Sequence, residues 1–161
     1  MKGVKNLGLV LVMSLVLGIG AGCAKKTTEV PAETPMVDSA ATAVDMAAQT
    51  ITDGIVYFDF DKYDVKPEYR EMLRQKAELM RQYPGIRVRI EGNCDERGTQ
   101  EYNLALGERR ARAAYEYMVM LGVNPSQLEM ISYGKERPAV QGTGEQVWSM
   151  NRRDDFRVIA R

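Results

Sequence analysis

From residue 54 to residue 160, apolar positions recur at one period and then at another, and the switches between the two divide this part of the chain into strands and helices. Ile55 to Phe60 (IVYFDF) is a β-branched and aromatic run suited to a buried strand, and it ends in the polar turn Asp61-Lys62-Tyr63-Asp64. Pro67 suits the first turn of a helix. Tyr69, Met72, Leu73, Met80 and Tyr83 fall on one helical stripe, which Pro84-Gly85 ends. Ile86, Val88 and Ile90 then alternate with Arg87, Arg89 and Glu91, as in a strand with one covered face. A polar loop, Gly92 to Thr99, leads to a helix that Thr99 can cap. That helix is expected to run to about Leu121, with Tyr102, Leu106, Ala113, Tyr117 and Leu121 on its inner face and Gly122 as its stop. Leu128 to Tyr133 predicts a third strand, Gly134 to Gly144 a loop, Gln146 to Asn151 a short helix, and the alternation of Phe156, Val158 and Ala160 a last strand. The order β-α-β-α-β-(short α)-β predicts an α/β fold, a two-layer sandwich with helices on one face of a mixed sheet.

The first third of the chain has a different pattern. Lys2 and Lys5 precede the apolar run Leu7 to Ile19, which closes on the small residues Gly20, Ala21 and Gly22 before Cys23. Basic start, short apolar core and small residues predict a secretory signal over residues 1–22, too short in its core for a membrane span. Cys23 then stands where a lipoprotein signal peptidase would leave an acylated N-terminus, although Gly20 occupies a position where such signals usually have Leu. Two or more acyl chains, at about 0.8 kcal/mol per buried methylene, would anchor the protein without spanning the bilayer. Ala24 follows Cys23 where an Asp is absent, which resembles an outer-membrane destination. From Ala24 to Thr52 the chain is rich in Ala, Thr and Pro with no sustained apolar face, so residues 23–53 are expected to form a tether reaching roughly 95 Å when extended. A weakly helical stretch between Ala40 and Gln49 is the alternative within it. The folded domain is then expected over residues 54–161.

Charge and composition narrow the function. The chain carries 22 basic and 22 acidic residues with no uninterrupted basic tract, which disfavours a nucleic-acid partner. It has no histidine, so Ser-His or Cys-His nucleophilic catalysis cannot be built and the commonest transition-metal ligand is missing. No metal or cofactor is expected. Cys94 lacks any histidine to support a metal or redox role and reads as a small packing residue.

The residues that could bind something lie at strand ends and in the loops after them. Asp61 follows the first strand and Asp95 the second, while Arg110 lies about three turns into the next helix. Two carboxylates and a guanidinium could converge on a ligand bearing both an ammonium and a carboxylate, since Arg grips carboxylate through a planar fork. Arg110 also falls on the buried stripe, where an unpaired charge is costly. Its partner is therefore either a ligand or an internal group such as Asp95.

Several strings carry a resemblance to a known family. They are Val56 to Asp64 (VYFDFDKYD), Glu91 to Thr99 (EGNCDERGT), Glu101 to Ala111 (EYNLALGERRA), Ile131 to Val140 (ISYGKERPAV) and Asn151-Arg152-Arg153. In this order and spacing, with the leader, the chain resembles the peptidoglycan-associated lipoproteins and their OmpA-like domain. The resemblance implies non-covalent recognition of diaminopimelate in the peptidoglycan stem peptide, with no catalysis. Asp95 and Arg110 would hold its ammonium and carboxylate, and Phe60, Asp61, Thr99 and Leu106 would line the pocket. Arg97 and Tyr102 would shape the loop, and Asn103 would support it. It further implies an outer-membrane lipoprotein with its domain in the periplasm, a TolB-like periplasmic partner, and a Tol-Pal-type role in envelope integrity and cell division. The competing readings are a lipoprotein of another envelope machine and a wall glycosidase using Asp61 and Asp95. An arginine beside those carboxylates would depress their pKa and disfavour proton donation.

Overall fold

A computed structural model of the protein describes residues 37–161. The signal, Cys23 and the expected tether up to residue 36 lie outside the described residues. The described part begins with a helix, α1 (Val37–Asp53), and this corrects the expectation of a flexible tether from residue 37 on. Alanine recurs through its sequence VDSAATAVDMAAQTITD and favours helix at little entropic cost. Ala47, Ala48 and Ile51 are buried. A face made mostly of alanine gives no stripe of large apolar residues, which is why the pattern shows it only as the weakly helical alternative between Ala40 and Gln49, a stretch that α1 contains. The folded unit therefore starts well before residue 54.

The closing turn of α1 is held from outside. Its last carbonyls have no intrahelical donor, and Lys76, 1% exposed, donates to the carbonyls of Thr50 and Ile51 while lying 4.7 Å from the centre of the Phe156 ring. Lys76 belongs to α2 (Arg70–Gln82), which a short 3-10 turn at Pro67–Tyr69 introduces. Of the stripe expected there, Leu73 and Met80 are fully buried, and Tyr69, Met72 and Tyr83 pack partly against the core.

Four strands follow the order β1-β4-β2-β3 across the sheet. They are β1 (Val56–Tyr57), β2 (Arg87–Asn93), β3 (Leu128–Gly134) and β4 (Arg153–Ala160). β4 runs antiparallel to both β1 and β2, while β2 and β3 are parallel and joined through the long helix α3 (Gln100–Met120). The result is the mixed sheet and α/β class that the element order implied. The first strand is shorter than expected because Phe58 makes one further backbone bond to Arg152 and the chain then turns away. The last strand is longer, beginning at Arg153. Val88, Ile90 and Phe156 point to the helices and join the core with Leu73, Met80 and Met118. The opposite face is charged, and its charges are paired across strands. Glu129 meets Arg87 and Arg89 at 2.5 and 3.2 Å, and Glu91 meets Arg157 at 3.3 Å.

The inner stripe of α3 differs from the expected one. Asn103, Leu106, Gly107, Arg110, Ala111, Ala114 and Met118 are buried, whereas Tyr102 is 49% exposed and Ala113, Tyr117 and Leu121 are only partly covered. The reason is a close approach of helix to sheet. A Cβ on Gly92 would collide with the Gly107 carbonyl, so β2 and α3 meet backbone to backbone and only small residues fit between them.

Candidate functional site

The chain enters the site through a tight turn. Lys62 N donates to Asp59 O at 3.2 Å, and Asp61 at the third turn position has φ of 55°, a left-handed conformation that Asp tolerates better than most residues. The turn pushes Phe60 outward, 59% exposed, with Asp61 beside it. Arg110, wholly buried, holds both ends of this turn from below: Nε donates to Lys62 O at 2.9 Å and Nη2 to Asp59 O at 3.3 Å. Its Nη1 donates to Asn93 O at 2.8 Å and contacts the Cys94 sulfur at 3.4 Å, and the guanidinium lies 5.0 Å from the Phe58 ring centre. Burial pushes the Arg110 pKa down, against the pull of nearby acidic groups. No ion pair joins Arg110 to a carboxylate among the described residues.

Of the two partners open to Arg110, a ligand or an internal group such as Asp95, the internal pairing with Asp95 is not made. Asp95 is taken by Arg97, Nη2 to Oδ2 at 2.6 Å and Nε to Oδ1 at 3.1 Å, and by Arg152 at 3.3 Å. Arg97 lies two residues away on the same loop and Arg152 reaches in from just before β4, while Arg110 is drawn under the turn by carbonyls. Burial alone would raise the Asp95 carboxyl, but the hydrogen bonds and charge of Arg97, helped by Arg152, hold it below the usual carboxylate range. It stays ionised.

The loop carrying Asp95 is fixed on several sides. Thr99 caps α3 by accepting from Tyr102 N at 3.2 Å, as its position predicts. Asn103 donates to the carbonyls of Arg97 and Thr99 at 2.7 and 3.0 Å, and Lys135 to those of Glu96 and Gly98 at 3.3 and 2.8 Å. The helix α4 (Glu145–Asn151) adds Trp148, whose indole N–H donates to Glu96 at 3.0 Å. Arg97 is thereby sandwiched between two rings, 4.1 Å from the centre of Phe60 and 4.0 Å from that of Trp148.

These elements enclose a cavity of about 250 Å³ that Phe60, Asp61, Asp95, Leu106 and Arg110 help to line, joined by Arg97, Tyr102 and Arg152. Thr99 is not among its lining residues; it is exposed and acts through the cap. Tyr102 donates its hydroxyl to Asp61, and this bond, followed by partial desolvation, raises the phenol pKa. The cavity wall therefore combines three guanidiniums, two carboxylates and apolar surface from Phe60 and Leu106. Two contributors escape a reading of the sequence by spacing. Arg152 and Trp148 lie about 50 residues from the Asp95 loop, and only the return of β4 beside β2 brings them to it.

A model of the OmpA family matches residues 57–152, which contain every element of this cavity. The chain belongs to the OmpA family. Among family relatives, the peptidoglycan-associated lipoprotein of Pseudomonas putida is 43% identical over 157 residues, covering 90% of this chain and 93% of the relative. The crystal structure of the peptidoglycan-associated lipoprotein from Burkholderia pseudomallei superposes with a TM-score of 0.66 at 44% identity, covering 68% of this chain and 92% of that one. The C-terminal domain of Helicobacter pylori MotB shares the fold at 18% identity, with a TM-score of 0.62 and coverage of 67% and 85%.

Proposed function

We propose that this protein is an outer-membrane lipoprotein that holds peptidoglycan non-covalently, through the diaminopimelate of the stem peptide, and so ties membrane to wall. The observation that carries this reading is the mixed charge of the cavity, with Arg97, Arg110 and Arg152 set against Asp61 and Asp95. A site with both signs and one surplus guanidinium accepts an ammonium and a carboxylate together. The names of the relatives, peptidoglycan-associated lipoproteins, support it. Asp61, bonded only by Tyr102 among the side-chain contacts at the cavity, is the carboxylate open to an ammonium, while Asp95 organises the guanidiniums that face the carboxylate. Phe60 and Leu106 cover the methylene chain between the two charges.

Cys23 is the proposed acylated terminus, and a TolB-like periplasmic protein within a Tol-Pal-type system is the proposed partner. Binding without catalysis fits the depressed Asp95, which is a poor proton donor at neutral pH. The test is co-sedimentation of full-length protein, in detergent, with purified cell-wall sacculi, followed by calorimetry with matched stem peptides. The expected result is retention on sacculi and at least a tenfold preference for diaminopimelate over lysine, about 1.4 kcal/mol. Equal affinity for the two peptides, or clearing of the sacculi in a zymogram, would overturn the reading.

A further inference from the structure

Behind the cavity lies a carboxyl that ligand binding, as described so far, does not use. Asp154 on β4 stands between Val56 of β1 and Gly92 of β2 in the strand register, and strand alternation puts its side chain on the inner face with Phe156. It is completely buried, and neither carboxyl oxygen has a hydrogen-bond partner among the described residues. Native proteins rarely leave such groups unsatisfied without a use for them. Arg110 is the complementary case, a buried guanidinium served by carbonyls and a thiol, with no carboxylate in ion-pair reach among the described residues.

We propose that Asp154 is the titratable counter-charge of Arg110, and that its protonation sets how strongly the cavity holds an anionic ligand. The proposal rests on the reading above for the identity of that ligand. With Asp154 protonated, the full charge of Arg110 acts on the cavity it lines. Once Asp154 ionises, the two charges offset each other and the attraction for a carboxylate falls. Burial keeps the Asp154 carboxyl well above the usual carboxylate range, against the attraction of Arg110 and Arg153 and with the repulsion of Asp155. The other groups packed around it do not blur this. Val56 and Gly92 carry no charge, and the Cys94 thiol, pushed up to about 11 by burial, is neutral below that pH. Ligand and proton therefore bind together, and affinity declines as pH rises through the pKa of Asp154 in the folded protein.

The test is calorimetry of full-length wild type and Asp154→Asn, in detergent, with the diaminopimelate stem peptide from pH 5.5 to pH 9. The difference between the two pH profiles is the readout, because groups titrating elsewhere contribute to both. Wild type is expected to lose at least threefold in affinity across the range, and the isosteric amide to change by less than half as much. A second measurement needs neither ligand nor variant: in wild type the Asp154 carboxyl carbon and the Arg110 Nε resonance are expected to shift together with pH. Parallel profiles for the two proteins, or an Arg110 resonance indifferent to Asp154, would overturn the proposal. A wild type that binds no stem peptide at any pH overturns the assigned ligand, and with it the tuning of that ligand's affinity. That failure is recognisable because the coupled resonances are read without ligand.

Discussion

Arg110 shows how one side chain can serve the fold and the site at once. It bonds the carbonyls of Asp59, Lys62 and Asn93, so Arg110→Ala strands one buried and two part-buried acceptors and is expected to cost about 3 kcal/mol, read as a lower urea midpoint. Arg110→Lys keeps the charge without the planar fork and should fall between wild type and alanine. Lys76 gives a prediction with a defined sign. Burial lowers its pKa from 10.5 to about 8, so between those values the unfolded chain binds more protons than the native one. Stability therefore rises with pH through this window, by up to about 3 kcal/mol in all. Cys94 acts in the opposite direction, since a thiol raised from 9.0 to about 11 makes stability fall as pH rises above 9.0. The Lys76 effect is cleanest between pH 8 and 9, and denaturant unfolding of Lys76→Met should lack the upward slope there. Asp61, Asp95 and Arg110 were legible as cavity residues because each follows a strand or sits on a helix stripe. Their pairing was not, because hydrogen-bond partners are chosen by tertiary distance, and Arg152 stands closer to Asp95 than any local pattern suggests.

Among the elements, the contact of β2 with α3 positions the cavity. Gly92→Ala would drive a Cβ into the Gly107 carbonyl, and a destabilisation of about 2 kcal/mol is expected from equilibrium unfolding. Gly107→Ala, which mainly meets the movable Ser132 hydroxyl, should cost less. The same contact explains why the buried stripe of α3 departs in part from the one its spacing predicts. Spacing arguments weight large side chains, and here Tyr117 packs only partly against the core and Tyr102 stands exposed, while Gly107, Ala111 and Ala114 lie on the sheet beside the expected Leu106. The alternating strand β2 and the cap at Thr99 were legible because they depend on neighbours in sequence. Helix α1 was legible only as a short, weakly helical alternative between Ala40 and Gln49, since its alanine face becomes apolar surface only when α2 and β4 cover it.

For the molecule as a whole, α1 decides where the stable unit begins. A protein starting at residue 54 loses the burial of Ala47, Ala48 and Ile51 and leaves Lys76 without the carbonyls it caps. It is expected to be less stable than one starting at residue 37 by on the order of 3 kcal/mol, compared by denaturant unfolding of the two. The attachment of α1 is shallow for a helix of 17 residues: among its described side chains Ala47, Ala48 and Ile51 are buried and Val44 is packed partly against the core, with one lysine across its end. Should the chain be held at Cys23 on one side and at the cavity on the other, tension would reach α1 before it reached the sheet. Peeled from the core and drawn out, those 17 residues would lengthen the connection by on the order of 30 Å. The helix would then act as stored slack, drawn out under load while the sheet and its cavity stay intact, and taken up again when the load is released.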